Sequence, residues 1–217
     1  MTASPLVLEA RLPATACVIW LHGLGADRYD FEPVALALQD VLPQLRFILP
    51  QAPRRPVTIN GGWSMPSWYD ILDMQPEERA IDEAQLEESA DTVLALIASQ
   101  QDLGIASERI VLAGFSQGGA VVYHTAFNRC SELLGGVLAL STYAPTFKGL
   151  HLASPAHPVF CLHGRFDDVV SPVLGRRAHD WLRHHGAPVE WREYPISHEV
   201  SNAEIADIAR WLQQRLG

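Results

Sequence analysis

The stretch Gly114-Phe115-Ser116-Gln117-Gly118-Gly119 places a serine where its hydroxyl could attack a carbonyl. A serine hydroxyl is a weak nucleophile near neutral pH and needs a base to take its proton as it attacks. The run Arg109-Ile110-Val111-Leu112-Ala113 before it reads as a buried strand, and Ala120 to Phe127 after it reads as a helix. Ser116 then falls on a strand-to-helix turn between Gly114 and Gly118, which is the G-x-S-x-G pattern of a nucleophile elbow. So tight a turn leaves no room for a Cβ beside the neighbouring backbone. The helix that follows directs its free N–H groups at the place where an oxyanion would form. An ordinary Gly-rich turn of a parallel sheet could show the same short pattern. Three further parts are therefore required: a base, an acid that orients it, and a second oxyanion donor.

Of nine histidines, most have a position that suits a structural role. His184 and His185 are neighbours within a helix that also carries His179, and His151 and His157 lie in a loop. His22 and His163 end strands, at the correct edge of a sheet but held in place. His198 lies in Pro195-Ile196-Ser197-His198-Glu199, between the last strand and the last helix, where a loop can reach over the sheet edge to Ser116. The orienting acid would come from His163-Gly164-Arg165-Phe166-Asp167-Asp168, and either aspartate could serve, the other capping the turn. The order Ser, Asp, His along the chain is the one an α/β-hydrolase topology imposes. Gln117, the residue after the nucleophile, would give one oxyanion N–H, and Leu24 in the His22-Gly23-Leu24-Gly25 turn the other.

The elements that must hold these parts alternate. Pro5–Ala10 could be an edge strand, Cys17–Leu21 and Arg46–Leu49 are buried strands, and Asp30 with Pro33 would open a helix through about Asp40. From Gln51 to Asp73 no periodicity is visible. A long helix follows, with Leu86, Ala90, Val93, Leu94 and Ile97 on one face. Glu77, Glu78, Asp82, Glu83, Glu87, Glu88 and Asp91 make its start acidic, as a solvated face favoured by the helix dipole. Strands over Gly136–Ser141, Pro158–His163 and Val189–Tyr194 alternate with a helix opened by Ser171-Pro172 and closed by Gly186. Ser201 and Glu204 form a capping box for a final helix with Ile205, Ile208, Ala209, Leu212 and Leu216 inward. The expectation is an α/β fold over residues 1–217 as one domain, with a mostly parallel central sheet, helices on both faces and no large lid domain. Ligands of such sheets bind beyond the carboxyl ends of the strands.

Composition narrows the partners. The 217 residues are 48% hydrophobic and 19% charged, which suits a globular core. A net charge of −9 argues against nucleic acid and against anchoring on anionic membranes. Cys17, Cys130 and Cys161 lack C-x-x-C spacing and point to a reducing, cytoplasmic setting. The N-terminus lacks the basic and apolar regions of a signal peptide, and no segment approaches the length of a membrane span. No histidine pair has zincin spacing, so neither metal nor other cofactor is expected.

Taken together, Trp20-Leu21-His22-Gly23-Leu24-Gly25, Pro50-Gln51-Ala52-Pro53, Met65-Pro66-Ser67-Trp68-Tyr69-Asp70-Ile71, Gly114 to Gly119, His163-Gly164-x-x-Asp167 and His198-Glu199-Val200 resemble the phospholipase/carboxylesterase family of small serine esterases. The likeness runs almost end to end. It implies an α/β-hydrolase fold, Ser116, Asp167 and His198 as catalytic residues, and Leu24 and Gln117 as oxyanion donors. Ser197 departs from the family, in which Gly often precedes the histidine. The resemblance implies hydrolysis of short to medium acyl esters, and of acyl thioesters including S-acylated proteins, through an acyl-enzyme. A homodimer is also compatible with it. Trp63, Met65, Trp68, Ile71, Leu72 and Tyr143 are candidates for an apolar acyl wall, or else for ordinary core. A lactonase or peptidase on the same fold, or a catalytically silent binding protein, are the competing readings.

Overall fold

Strand β2 (Ala16–Leu21) is buried along its whole length, and its residues divide by parity. Cys17, Ile19 and Leu21 enter one apolar cluster, whereas Ala16, Val18 and Trp20 enter another. A strand buried on both faces belongs inside a parallel sheet with helices on each side. The computed structural model describes residues 4–75 and 78–217 and has that architecture. Seven strands run in the order β1 (Leu6–Leu8), β3 (Leu45–Leu49), β2, β8 (Ile110–Phe115), β9 (Gly136–Leu140), β10 (Val159–Gly164) and β11 (Val189–Tyr194). Only β1 is antiparallel to its neighbour. On one face, α2 (Glu83–Asp102), α3 (Gln117–His124) and α4 (Pro172–His184) contribute Leu86, Val121 and Leu174 to the core. On the other, α1 (Glu32–Val41) and α5 (Asn202–Leu216) contribute Leu38 and Leu212. Among the described residues, no helix is long and apolar enough to cross a membrane.

Three local features differ from the sequence-based expectation. First, Asp30 does not cap α1. The N-cap position falls on Phe31, without a side-chain cap, and the Asp30 N–H closes a turn onto the Asp27 carbonyl (3.2 Å). Phe31 is drawn inward by packing on Trp20 and Phe115, with ring centroids 5.0 and 5.8 Å away.

Second, the stretch without periodicity forms the strands β4 (Arg54–Val57), β5 (Trp63–Pro66) and β6 (Ile71–Gln75); β6 pairs with β7 (Glu78–Ile81). These two antiparallel hairpins lie outside the main sheet. Each strand is only four or five residues long and largely exposed, so no two-residue alternation accumulates. Asp70 ties the pair together by accepting from the Thr58 N–H (2.7 Å) and hydroxyl (2.6 Å).

Third, the acidic tract is more than a solvated face. Glu87 meets Arg129 and His124, Asp91 meets Arg129 at 2.7 Å, and Glu88 approaches Arg55 at 3.5 Å. Asp82 caps α2 by accepting from the Gln85 N–H (3.0 Å), while Glu77 lies outside the described residues. The capping box of α5 is likewise half formed. Ser201 accepts from the Glu204 N–H (3.2 Å), but the Glu204 carboxyl is buried and both its oxygens lack a hydrogen-bond partner among the described residues.

Candidate active site

Strand β8 ends at Phe115, α3 begins at Gln117, and Ser116 alone makes the turn. Its backbone stands at φ +54°, ψ −120°, a conformation that a residue with a side chain adopts only under constraint. The constraint comes from three directions. The Ser116 N–H donates to the Leu140 carbonyl (2.9 Å) at the end of β9. The Thr142 hydroxyl donates to the Ser116 carbonyl (2.6 Å). The glycines admit close backbone: a Cβ at Gly114 would strike the Gly118 carbonyl, and one at Gly118 would lie 2.6 Å from the Leu21 and His22 carbonyl oxygens.

His198 and Asp167 meet across two loops. His198 Nδ1 donates to Asp167 Oδ2 at 2.7 Å. The other carboxylate oxygen accepts from the N–H groups of Val169 (3.0 Å) and Val170 (2.8 Å). Burial alone would raise the Asp167 pKa. The hydrogen bonds from His198 and from the Val170 N–H, with the His198 and His163 charges, outweigh it and hold the carboxyl below its ordinary 3.8. Asp168 is exposed, so the geometry separates the two aspartates that composition left equivalent. The His198 loop lies directly on β10, because Gly164 has no Cβ to collide with the Ser197 carbonyl. Ser197 itself does not have a positive φ, so the backbone makes no demand for glycine there. The His198 ring stands 4.6 Å from that of Phe115, and His198 and Ser116 line one cavity of about 360 Å³. Among the described residues, no hydrogen bond joins the Ser116 hydroxyl to that imidazole.

Both strand-end histidines are structural ties. His22 Nδ1 donates to the Gly23 carbonyl (2.7 Å) and Nε2 accepts from the Ala52 N–H (3.1 Å), which fixes a neutral ring. His163 Nε2 donates to the Val170 carbonyl (2.8 Å), closing the loop that carries Asp167. Burial lowers the pKa of both.

Leu24 and Gln117 lie on the wall of the Ser116 cavity. The Leu24 N–H has no acceptor among the described residues, and Gln117, first in α3, has no intrahelical one. The Gln117 side chain does something the motif does not show. Its carbonyl accepts from the Trp68 N–H (2.9 Å), and its amide donates to the Tyr69 carbonyl (2.6 Å) and the Ser67 hydroxyl (3.0 Å). The Trp68 indole in turn donates to the His22 carbonyl (2.8 Å). One network therefore joins the elbow to the Leu24 turn.

Of the six candidates for an acyl wall, Ile71 and Tyr143 line the cavity. The other four are placed elsewhere. Trp68 is 1% exposed and used in the network just described. Trp63 is 77% exposed on β5. Met65 sits behind the cavity wall, with Sδ 3.8 Å from where a Cβ of Gly25 would lie. Leu72 follows the inward Ile71 on β6 and so faces outward, 48% exposed. Ile59, Met74, Arg79, Val169 and Val170 are also on the wall. Ile59, Met74 and Arg79 escape the sequence because the hairpins that carry them show no pattern, whereas Val169 and Val170 lie in the loop after β10 that carries Asp167.

Comparison with known proteins bears on the family and the fold. The family model described as phospholipase/carboxylesterase matches residues 2–216. Acyl-protein thioesterase 1 of Mycosarcoma maydis is 39% identical over 230 residues, covering 96% of this chain and 95% of its own. The protein of that name from Cryptococcus neoformans var. neoformans serotype D is 37% identical over 222 residues, covering 93% of each. The crystal structure of Zea mays acyl-protein thioesterase 2 superposes with a TM-score of 0.86 at 27% identity, over 98% of this chain and 99% of that one. Arabidopsis thaliana SOBER1 gives 0.84 at 30% identity, over 93% and 99%. The fold is that of the α/β-hydrolases, and the chain belongs to the phospholipase/carboxylesterase family.

Proposed function

We propose that this hydrolase cleaves carboxylic esters and acyl thioesters through an acyl-enzyme on Ser116, with His198 as base and Asp167 as its orienting acid. The observation that carries the reading is the Asp167–His198 hydrogen bond of 2.7 Å at the edge of a cavity that Ser116 shares. His198 Nε2 takes the Ser116 proton as Oγ bonds to the acyl carbon, and the carbonyl oxygen gains negative charge between the Leu24 and Gln117 N–H groups. The imidazolium then protonates the departing alcohol or thiol. A water enters, gives its proton to His198, attacks the acyl carbon, and Ser116 leaves with that proton. Ile71, Tyr143, Met74 and Val170 would hold the acyl group, and the open mouth admits an acyl chain still attached to a protein. The family relatives named for acyl-protein thioesterase activity support thioesters beside esters. Three free cysteines fit the cytoplasm as the place of action.

A fluorophosphonate probe tests the reading, since only an activated serine reacts. It should label Ser116, and the protein should turn over p-nitrophenyl esters and a palmitoyl thioester. Absence of both labelling and turnover in folded protein would leave the silent-binder reading in its place.

A further inference from the structure

The G-x-S-x-G pattern ends at Gly118, yet the elbow carries one glycine more. Gly119 does not have a positive φ, so its conformation does not call for glycine. Space does. A Cβ at Gly119 would lie 2.5 Å from both Cβ and Oγ1 of Thr142. The missing side chain makes room for Thr142, which follows β9 and is 2% exposed. Ser141 before it is buried and held at φ +45°, a strained backbone for a residue with a side chain. The residues on either side of Ser141 hold the two ends of Ser116. The Leu140 carbonyl accepts from the Ser116 N–H (2.9 Å), and the Thr142 hydroxyl donates to the Ser116 carbonyl (2.6 Å).

The Ser116 carbonyl and the Gln117 N–H are opposite ends of one planar peptide. Whatever fixes the direction of the first fixes that of the second. The carbonyl also accepts from the Gly119 N–H (3.0 Å) and the Ala120 N–H (3.3 Å), which hold the peptide relative to α3. The Thr142 bond reaches the same carbonyl from outside α3 and ties the peptide to the end of β9. We propose that Thr142 is a positioning residue for the oxyanion hole: through the Ser116 carbonyl, its hydroxyl aims the Gln117 N–H at the oxygen that gains charge. The inference rests on the serine-hydrolase reading of Ser116. Thr142 acts from the end of the peptide opposite the substrate. A hydrogen bond on the carbonyl also polarises the N–H of the same peptide, so aim and donor strength change together. Donors of this kind are effective because they are fixed before charge develops. The ground-state ester carries little charge on its carbonyl oxygen, so a loosened donor lowers kcat rather than raising KM.

The test compares three variants with the parent. Thr142→Val keeps the branched shape and removes the donor, Thr142→Ser keeps the donor and loses a methyl, and Thr142→Cys has a thiol that donates weakly. On p-nitrophenyl butyrate, Thr142→Val should lower kcat by about fivefold to thirtyfold with KM within about twofold, because outright loss of an oxyanion donor costs about 10²–10³. Thr142→Ser should stay within about threefold of the parent, and Thr142→Cys should fall between Ser and Val. A trifluoromethyl ketone with the same acyl chain gives a readout that looser packing alone would not move. Ser116 Oγ adds to its carbonyl carbon, the proton passes to His198, and the ketone oxygen becomes an oxyanion in the hole. Its inhibition constant should rise, variant by variant, by the factor through which kcat/KM falls. A Thr142→Val variant within twofold of the parent overturns the proposal. So does a loss that Thr142→Ser shares in full, or one that leaves the inhibition constant unmoved. Should Thr142→Val not fold, the remaining pair decides, and a Thr142→Cys variant as fast as Thr142→Ser overturns the role. A parent protein that neither hydrolyses the ester nor binds the ketone overturns the serine-hydrolase reading and the role of Thr142 with it, whereas an active parent beside an equally active Thr142→Val overturns that role alone.

Discussion

Replacing Asp167 by Asn tests the proposed catalytic relay at one atom. Oδ1 of Asp167 accepts two backbone N–H groups, from Val169 and Val170, and Oδ2 accepts from His198 Nδ1 at 2.7 Å. An asparagine has one acceptor and one donor to place on those two sides. Facing its NH2 toward these two donors would leave the buried Val170 N–H unsatisfied, at about 1–3 kcal/mol, and cost the part-buried Val169 N–H its acceptor. Its carbonyl therefore takes the Val169–Val170 side, and its NH2 points at His198. Nδ1 must then accept, so the ring proton moves to Nε2, the atom that has to receive the Ser116 proton. The comparable change in a serine protease triad costs about 10⁴ in kcat, which corresponds to about 5.5 kcal/mol of barrier. The same loss is expected here on p-nitrophenyl butyrate, with a circular dichroism spectrum like the parent's. Asp168→Asn, at an exposed carboxylate, should leave kcat/KM within about twofold of the parent, as surface changes away from a site do. An Asp167→Asn variant that keeps more than about a hundredth of parental activity would refute the tautomer argument. An Asp168→Asn variant that loses as much as Asp167→Asn would move the role to the other aspartate.

Ser116→Ala should lose on the order of 10⁶ in kcat and all fluorophosphonate labelling, and residual labelling elsewhere would show a different nucleophile. Trp68→Phe keeps a ring in the core but removes the indole donor to the His22 carbonyl. It should lower kcat about tenfold by loosening the Leu24 turn, with KM for a short ester little changed, whereas unchanged kcat would show that the turn holds its place without it. The Glu204 pKa is pushed up to about 8 by burial from its ordinary 4.5, so the folded protein binds more protons than the unfolded chain between those values. Stability present at pH 4.5 is therefore lost as pH rises toward 8, by about 5 kcal/mol. Glu204→Gln should remove that slope and raise the melting temperature at pH 9 but not at pH 5, and parallel pH profiles would contradict it.

The parts of the site that depend on backbone shape were legible in the sequence. The elbow shows because a tight turn excludes side chains at Gly114 and Gly118, and the starts of α4 and α5 show because Ser171 and Ser201 cap the helices they precede. Facing relations were not legible. Asp167 and Asp168 are equivalent in composition, and the backbone of Val169 and Val170 decides which one turns toward His198. Trp68 and Met65 have the apolar character of an acyl wall, but one hydrogen-bonds into the core and the other packs behind Gly25. The hairpins are the extreme case. Their strands are too short to establish a period, and their position is set by tertiary hydrogen bonds such as Thr58 to Asp70. Yet they supply Ile71, Met74 and Arg79 to the cavity at Ser116. The elbow and its glycines are thus written in a short local motif, whereas part of the cavity wall comes from side chains that only the folded hairpins bring there. Two chains with the same elbow and the same His198 loop can therefore differ in the wall of this cavity through residues 54–81, as well as through Tyr143, Val169 and Val170.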